Sequence, residues 1–555
     1  MLSTCKINTI KVIIFTRERL KLNFNSQKYT YASKRKVVYG KKGMVCTSQP
    51  LAAQAGLDIL KKGGNAIDAA IATAACLTVV EPTSNGLGSD AFALIWKEGK
   101  LLGLNASGMS PKEITVEKVK KQGYKKMPLL GWIPVTVPGA VGAWAELSQK
   151  HGNLPFETLL QPAISYAKEG FPVTPTIARL WEKSFEHYKK ECTENIFEEW
   201  FRIFAPKGRA PFAGEVWNSP YHAKTLDELA QTKCVSFYKG ALADKMDLFS
   251  KQTGGYLRKE DLKNYSPEWV NPISINYRGY DVWEIPPNGH GIVALMALNI
   301  MNGFNINVKC AETYHKQIEA MKLAFEDGKR YISDKRFMKV TTEQLLSQEY
   351  ANKRRQEISD KAILPKHGNP YCGGTVYLCT ADEEGNMVSY IQSNYEGFGS
   401  GIVIPDTGIA LHDRGANFSL DETMENCIAP CKKPYHTIIP GFLTKQGNAI
   451  GPFGVMGGFM QPQGHMQTIM NLIDFYMNPQ EALDAPRWQW VGEKKILVER
   501  EFPYAITEEL VRKGHNIFVE AESIDFGRGQ MILRQQNGVF AGATEPRADG
   551  MVAVW

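Results

Sequence analysis

The sequence lacks the run of about 18–20 apolar residues that a membrane-spanning helix needs, although 43% of its 555 residues are hydrophobic. It also lacks a basic stripe in its body. The first 42 residues hold eleven Lys or Arg and one acid, Glu18, whereas the net charge of the whole chain is only +7. We therefore expect no membrane partner and no nucleic-acid partner. No internal repeat and no low-complexity segment interrupts this globular composition.

Cysteine is sparse and scattered. The ten cysteines contain no C-x-x-C pair, and the closest pairs are Cys372/Cys379 and Cys427/Cys431. This spacing is typical of a reduced, intracellular protein rather than a disulfide framework, and it predicts a cytoplasmic location. Cys427 and Cys431 could form half of a metal site, but no second ligand pair accompanies them. We expect no metal and no organic cofactor.

The N-terminal segment differs from the rest of the chain. Residues 1–40 are basic and almost free of acids, so they are either a disordered arm or a targeting segment. The folded body begins after them. Pro50–Lys62 has helical periodicity and ends at a glycine pair. Asn65 then caps an alanine-rich helix that reaches Val80.

Hydrophobic periodicity predicts further elements of both kinds. They are a strand at Ala91–Trp96, a helix beginning within Pro134–Ala145, a helix at Ala311–Tyr331, a hairpin of Val376–Thr380 and Met387–Ile391, strands at Ile438–Leu443, Leu497–Val498 and Met531–Leu533, and a helix at Gln463–Tyr476. Strand pairs between helical segments indicate layers of sheet covered by helices, an α/β fold.

Two glycines, Gly373 and Gly374, precede Thr375 at the start of the predicted hairpin. A threonine hydroxyl is a weak nucleophile that needs a base beside it. An α-amine freed by cleavage before Thr375 would have a pKa of about 7.7–8.0, near the working pH. This arrangement suits a self-cleaving N-terminal nucleophile. Taken alone, however, Gly-Gly-Thr before a strand is usually an ordinary turn.

Further segments fall in order along residues 40–555. They are GMVCTSQPLAAQAGLDILKKGGNAIDAAIA (43–72), VVEPTSNGLGSDAF (79–92), VPGAVGAW (137–144), YRGYDVWEIPPNGHG (277–291), GGTVYLCTADEEGN (373–386), FGSGIV (398–403), GPFGVMGG (451–458), NPQEALDAPRWQW (478–490) and GATEPRADG (542–550). Together they resemble the gamma-glutamyltranspeptidase (glutathione hydrolase) family of N-terminal nucleophile hydrolases. LCTADEEGNMVSYIQSNY and KPYHTIIPGF are most similar to its divergent gamma-glutamyltransferase-like branch.

This resemblance implies a four-layer αββα sandwich and a precursor that cleaves itself between Gly374 and Thr375. The products would be a large subunit, residues 41–374, and a small subunit, residues 375–555, that remain partners in one catalytic domain. The implied substrate is a small-molecule amide or γ-glutamyl compound. The resemblance leaves a higher oligomer open.

The resemblance also implies the catalytic residues. Thr375 matches the nucleophile and, after cleavage, supplies its α-amine as the base. Ser393 matches a second hydroxyl that hydrogen-bonds the nucleophile, although a polar strand-end residue would look the same. Gly457 and Gly458 match the glycine pair whose N–H groups form the oxyanion hole, a role that suits glycine because its backbone can approach a ligand closely.

The substrate-binding residues depart from the family pattern. The family's glutamyl-binding arginine is missing, since no arginine occurs between Arg35 and Arg179. Asn417 stands where the family has an aspartate. Arg414 could supply a replacement cation or be an ordinary surface arginine.

Two further positions differ in the same region. His436 and Thr437 replace a Ser-Ser pair, and His436 could contact substrate or be a satisfied structural histidine. The glycine-rich turn carries Ser89 and Asp90. A missing arginine–carboxylate clamp should redirect specificity.

The sequence therefore predicts a self-processing gamma-glutamyltransferase-like enzyme that transfers or hydrolyses an acyl group through a threonine acyl-enzyme. One alternative is a non-glutamyl acylase similar to the cephalosporin acylases. A second alternative is an inactive scaffold that kept the fold.

Overall fold

The computed structural model describes residues 35–364 and 374–555. Two seven-stranded antiparallel sheets form its centre. The first, which we call sheet I, has the strand order Met551–Val554, Gly43–Thr47, Gly374–Asp382, Met387–Tyr395, Asp90–Lys97, Lys100–Ala106 and Glu268–Val270.

The second sheet, sheet II, has the order Val38–Gly40, Phe540–Thr544, Arg528–Arg534, Asn448–Met456, Gly441–Lys445, Tyr280–Glu284 and Ile273–Tyr277. Sheets I and II pack through a buried apolar layer that includes Met44, Phe92, Tyr377 and Phe442. Two small sheets lie outside this layer. One has three strands, Trp488–Gly492, Lys495–Glu499 and Asn516–Glu520, and the other has two, Phe171–Pro172 and Val216–Trp217.

Helices cover both outer faces. The helices of residues 50–263 are Pro50–Lys61, Ala66–Val80, Val116–Lys121, Ala140–His151, Phe156–Glu169, Pro175–Glu191, Glu198–Phe204, Pro220–Thr232, Val235–Lys239, Ala241–Gln252 and Lys259–Lys263. Most of these share one large core with sheet I. The alanine-rich helix Ala66–Val80 is buried all round, because small side chains let the sheet and neighbouring helices approach it closely.

A second set of helices packs on sheet II around another core. They are Gly291–Met301, Ala311–Tyr331, Thr342–Leu345, Gln348–Gln356, Gln461–Ile473, Pro479–Asp484 and Tyr504–Arg512. Short 3₁₀ helices occur at Asn195–Phe197, Lys335–Phe337, Arg414–Asn417, Gly458–Met460 and Ile524–Phe526. Two central sheets between two helical layers confirm the predicted αββα sandwich. None of the helices in the described ranges is long and apolar enough to cross a membrane.

Some predicted boundaries are wrong. Residues 1–34 lie outside the described residues, but Val38–Gly40, which we had included in the arm, pairs with sheet II, and the compact body runs from Arg35. The helix predicted to begin within Pro134–Ala145 begins at Ala140, because Val137 and Gly139 donate their N–H groups to the carbonyls of Met109 and Ser89. An extended segment therefore precedes the helix.

A buried ion cluster explains two of the C-terminal family segments. Glu545 accepts hydrogen bonds from Arg487 (2.8 Å) and Arg547 (2.5 Å), and also from the N–H of Gly529. Arg487 in turn donates to the carbonyl of Gly527 at 2.7 Å. Each charge is paired and hydrogen-bonded, as burial requires. The cluster fixes the start of the Arg528–Arg534 strand, beside the Met456–Gly458 turn.

Candidate active site

Thr375 lies at an irregular point of sheet I. Its strand, Gly374–Asp382, pairs with Met387–Tyr395, and the pairing register shifts between Gly374 and Val376. A β-bulge of this kind re-aims one side chain out of the regular alternation. The Thr375 hydroxyl is buried and donates to Ser393 Oγ at 3.1 Å.

Ser393 connects three groups through its hydroxyl oxygen. Its Oγ accepts hydrogen bonds from Thr375, from Arg414 Nη2 at 2.9 Å and from the N–H of Tyr395 at 2.8 Å. It stands directly opposite Asp90 of the neighbouring strand. A single hydroxyl therefore joins the threonine to a cation.

Arg414 begins the 3₁₀ helix Arg414–Asn417 and has no exposed surface. Its Nη1 donates to Thr437 Oγ1 at 2.5 Å, and the guanidinium lies 4.7 Å from the centre of the Tyr395 ring. The interpretation as a surface arginine is wrong. Within the described ranges no carboxylate lies within 4 Å of this guanidinium, and its Nε has no hydrogen-bond partner. A buried cation without a direct counter-ion is costly.

Two acids near Arg414 have raised pKa values. Burial raises the pKa of Asp413 to about 8, and burial together with the Asp413 charge holds the pKa of Glu396 well above its usual range. The raised pKa values reduce the negative charge that the pair carries beside Arg414 near neutral pH. Asn417, in the same 3₁₀ helix, has a buried side-chain nitrogen without a partner among the described residues. The region offers hydrogen-bond donors and positive charge, a combination that favours an anion.

His436 and Thr437 lie on either side of this network. The His436 ring is fully buried, and its Nε2 lies 3.0 Å from Asp90 Oδ2. Its Nδ1 accepts the N–H of Ile438 at 3.4 Å. Both ring nitrogens thus have protein partners, while the Thr437 hydroxyl binds Arg414.

Gly457 and Gly458 follow the Asn448–Met456 strand and precede the helix Gln461–Ile473. Their φ angles are +140° and +53°, a region that favours glycine. Gly457 faces a cavity of about 310 Å³. Other residues that line this cavity are Ser84, Tyr188, Glu396, Asp413 and Arg528. A small molecule in this cavity could therefore reach Gly457 from the side that Glu396 and Asp413 line.

We expect Gly457→Ala to lower kcat by about 10²–10³, the loss typical of a damaged oxyanion hole. A Cβ there would lie 3.1 Å from the Gly527 Cα and would oppose the +140° φ angle. The measurement is kcat of the purified variant. Gly447→Ala is the matched control, because Gly447 also has a positive φ but no atom within 4 Å of its added Cβ. Equal kcat values in both variants would remove Gly457 from the mechanism.

One cluster in the described part of the chain brings three candidate metal ligands within 4.8 Å: His315, Glu319 and His515. Most of these groups already take part in hydrogen bonds within the protein. His315 Nε2 lies 2.7 Å from the Ser359 carbonyl and its Nδ1 lies 2.8 Å from His515 Nε2. Glu319 accepts from the buried Lys322 ammonium at 2.7 Å. We interpret the cluster as structural.

Sequence reasoning missed three residues of this region: Asp90, Glu396 and Asp413. Asp90 was visible only as a departure from a glycine-rich turn. Glu396 and Asp413 carried no signal, because acids near a turn are usually exposed.

The gamma-glutamyltranspeptidase family model matches residues 52–555. The chain belongs to this family. Its fold is that of the N-terminal nucleophile hydrolases, and the chain is an amidohydrolase or acyltransferase of the gamma-glutamyltransferase type, as the sequence predicted.

Individual relatives extend over nearly the whole chain. A solved structure of a cephalosporin acylase from Bacillus halodurans is 61% identical, with a TM-score of 0.94, and the match covers 96% of this chain and 99% of that one. The glutathione hydrolase-like YwrD proenzyme of Bacillus subtilis is 37% identical, over 93% of this chain and 99% of the relative. The oxamate amidohydrolase proenzyme of Klebsiella pneumoniae is 34% identical, over 92% and 98%.

Proposed function

We propose that this family member is a proenzyme that cleaves its own Gly374–Thr375 bond and then uses Thr375 as an N-terminal nucleophile on a small amide. The observation that carries the proposal is the buried Thr375 hydroxyl on a β-bulge, hydrogen-bonded to Ser393 and through it to Arg414. Relatives named as proenzymes support the self-processing step. The subunits would be residues 41–374 and 375–555.

The chemistry has two stages. In maturation, Thr375 Oγ attacks the Gly374 carbonyl carbon, the C–N bond breaks, and the amide becomes an ester. Water then hydrolyses the ester, leaving a Gly374 carboxylate and a free Thr375 α-amine. In turnover, that amine accepts the hydroxyl proton while Oγ attacks the substrate amide, and the proton passes to the leaving amine. Water or an acceptor amine releases the acyl group.

The remaining catalytic roles follow from position. Ser393 would hold the Thr375 hydroxyl for attack, and Arg414 would polarise the Ser393 hydroxyl by donating to it. The N–H groups of Gly457 and Gly458 would stabilise the tetrahedral oxyanion, where each donor contributes about 2.7–4 kcal/mol. No step needs a cofactor.

For the substrate, we assign the acyl carboxylate to Arg414, with Asn417 as a second donor and His436 and Thr437 as the residues that flank the guanidinium. A substrate carboxylate would give this buried guanidinium the counter-ion and the charge-assisted hydrogen bonds that it lacks. γ-Glutamyl amides and simpler carboxylated amides both carry such a group. The gamma-glutamyltransferase-like reaction is thus the primary proposal.

The second candidate is a non-glutamyl acylase, and Asn417 favours it, because an amide in place of an aspartate loses the charge that would hold a substrate ammonium. Relatives named oxamate amidohydrolase and cephalosporin acylase point the same way. Glutaryl-p-nitroanilide and γ-glutamyl-p-nitroanilide differ only in that ammonium, so the ratio of their kcat/KM values separates the two candidates. A glutaryl preference supports the acylase.

The first test is the intact mass of the purified protein under denaturing conditions. The proposal expects two fragments, and the smaller should begin at Thr375 with the sequence Thr-Val-Tyr-Leu-Cys. A single uncut chain that is also inert on both anilides would overturn it and support the inactive scaffold. The fate of residues 1–40, a cytoplasmic location and a higher oligomer stay predictions.

A further inference from the structure

Asp90 is a buried carboxyl that the proposed mechanism does not use. It begins the strand Asp90–Lys97, in the part of the chain before the proposed cut, and it stands directly opposite Ser393 in sheet I. Ser393, Arg414 and Thr437 all come from after the cut. Asp90 has no exposed surface. A carboxylate is rarely buried to this extent unless it is paired with a charge or a hydrogen-bond donor.

Two histidines face Asp90. His436 Nε2 lies 3.0 Å from Oδ2, and His412 Nε2 lies 3.5 Å from Oδ1. The other nitrogen of each ring accepts a backbone N–H, from Ile438 for His436 and from Arg414 for His412. The His436 ring therefore carries its proton on Nε2, directed at Asp90. His412 Nε2 lies 3.5 Å from the Thr136 hydroxyl as well as from Asp90 Oδ1, and Oδ1 has no hydrogen-bond partner in the described part of the chain. Burial lowers the pKa of both histidines, that of His412 to about 3, so the rings are neutral.

These histidines are attached to the segments that hold the guanidinium. His412 lies two residues before Arg414 and binds its backbone N–H at 3.1 Å. His436 immediately precedes Thr437, whose hydroxyl accepts from Arg414 Nη1. Asp90 thus connects to the Arg414 guanidinium through His436 and Thr437 without touching it.

The separation has a consequence for binding. A direct Asp–Arg salt bridge would occupy the fork of donors that a substrate carboxylate needs. With a histidine between them, Asp90 supplies negative charge near Arg414 while the guanidinium keeps donor capacity, as its unpartnered Nε indicates. Burial raises the pKa of Asp90 to about 7, and the charges of Arg414 and Lys433 oppose that rise, so Asp90 is mainly ionised in slightly alkaline solution.

We propose that Asp90 is a positioning residue that fixes Arg414 beside Ser393 through His436 and Thr437, and thereby sets the affinity for the acyl carboxylate. This inference rests on the proposed function. It assigns to the large subunit a role in substrate recognition by a small-subunit arginine.

The test uses mature protein and Asp90→Asn in slightly alkaline buffer, with glutaryl- and acetyl-p-nitroanilide as substrates. The amide removes the negative charge that binds His436 and supports Arg414, so KM for the glutaryl substrate should rise by about tenfold or more. KM for the neutral acetyl substrate should change by less than about threefold. An unchanged glutaryl KM, or an equal rise for both substrates, would overturn the proposal.

Two further comparisons keep the proposal testable if Asp90→Asn folds poorly. Glutamine places an amide N–H near the position of the histidine Nε2, so His436→Gln should retain the glutaryl KM within about threefold, whereas His436→Leu should raise it about tenfold. In an Arg414→Met background, Asp90→Asn should add no further increase, because the two act as one unit. Equal effects of the two His436 variants, or additive effects in the double variant, would contradict the role.

Failure of the proposed function would look different. In that case wild-type protein would stay uncut or inert on both substrates. Mature, active wild-type protein with an unaffected Asp90→Asn variant would reject only the positioning role.

Discussion

Thr375→Ala should remain a single chain of 555 residues and lose amide hydrolysis by at least about a thousandfold, as nucleophile replacement does in other acyl-transfer enzymes. The variant has no hydroxyl to attack the Gly374 carbonyl and gains no N-terminal amine. It should still fold, because losing the hydrogen bond to Ser393 costs only about 0.5–1.5 kcal/mol. Intact mass and the initial rate on glutaryl-p-nitroanilide measure both effects.

Thr375→Ser is the matched control. It keeps the hydroxyl and can mature, although without the methyl group that fixes the rotamer, so we expect slower cleavage at the same bond. If Thr375→Ala produced the same two fragments as the wild type, an external protease would be responsible. The assignment of Thr375 as the maturation nucleophile would then fall.

The fold was largely predictable where local signals agree with tertiary packing. The helix Ala311–Tyr331 has the predicted bounds, and Asn65 forms the predicted cap, with its own N–H donating in return to the Asp68 carboxylate. Strand prediction failed where the backbone of an apolar segment forms hydrogen bonds outside the sheet. The strand expected at Ile438–Leu443 is Gly441–Lys445, since Ile439 donates its N–H to the Gln461 side chain and so cannot join the sheet there.

The site was only partly predictable. Thr375 and Ser393 could be placed together because a hairpin sets their register, and Thr375 precedes the hairpin by a recognisable glycine pair. The burial of Arg414 could not be inferred, because it depends on contacts with Thr437 and Tyr395 that no local pattern encodes. The position of Asp90 beside Ser393 depends on strand pairing between residues more than 300 positions apart in the sequence.

Arg414 also links stability to function. A buried arginine without a direct carboxylate partner lowers stability, since replacing such a charge by a packed apolar side chain is often neutral or stabilising by about 1–4 kcal/mol. Proteins usually retain a destabilising buried charge of this kind at a functional site, where a bound ligand can pair with it. The protein therefore keeps a costly cation next to its nucleophile.

Arg414→Met should consequently lower kcat/KM for glutaryl-p-nitroanilide by about a hundredfold or more. This factor corresponds to about 3 kcal/mol, which lies in the range measured when one partner of a buried charge pair is truncated. The loss on acetyl-p-nitroanilide should be about tenfold or less, because that substrate offers no carboxylate and loses only the support that Arg414 gives to Ser393. The ratio of the two losses is the diagnostic quantity. The melting temperature should stay the same or rise.

Arg414→Lys sharpens this prediction. Lysine keeps the charge but cannot donate to Ser393 and Thr437 in the same fork geometry, so its glutaryl kcat/KM should lie between those of the wild type and Arg414→Met. Arg179→Met, at an exposed arginine paired with Glu522, controls for a general loss of positive charge and should leave both substrates unaffected. If Arg414→Met lowered kcat/KM by the same factor for both anilides, the only role of Arg414 would be to support Ser393 and Thr375. The substrate carboxylate would then have to bind elsewhere.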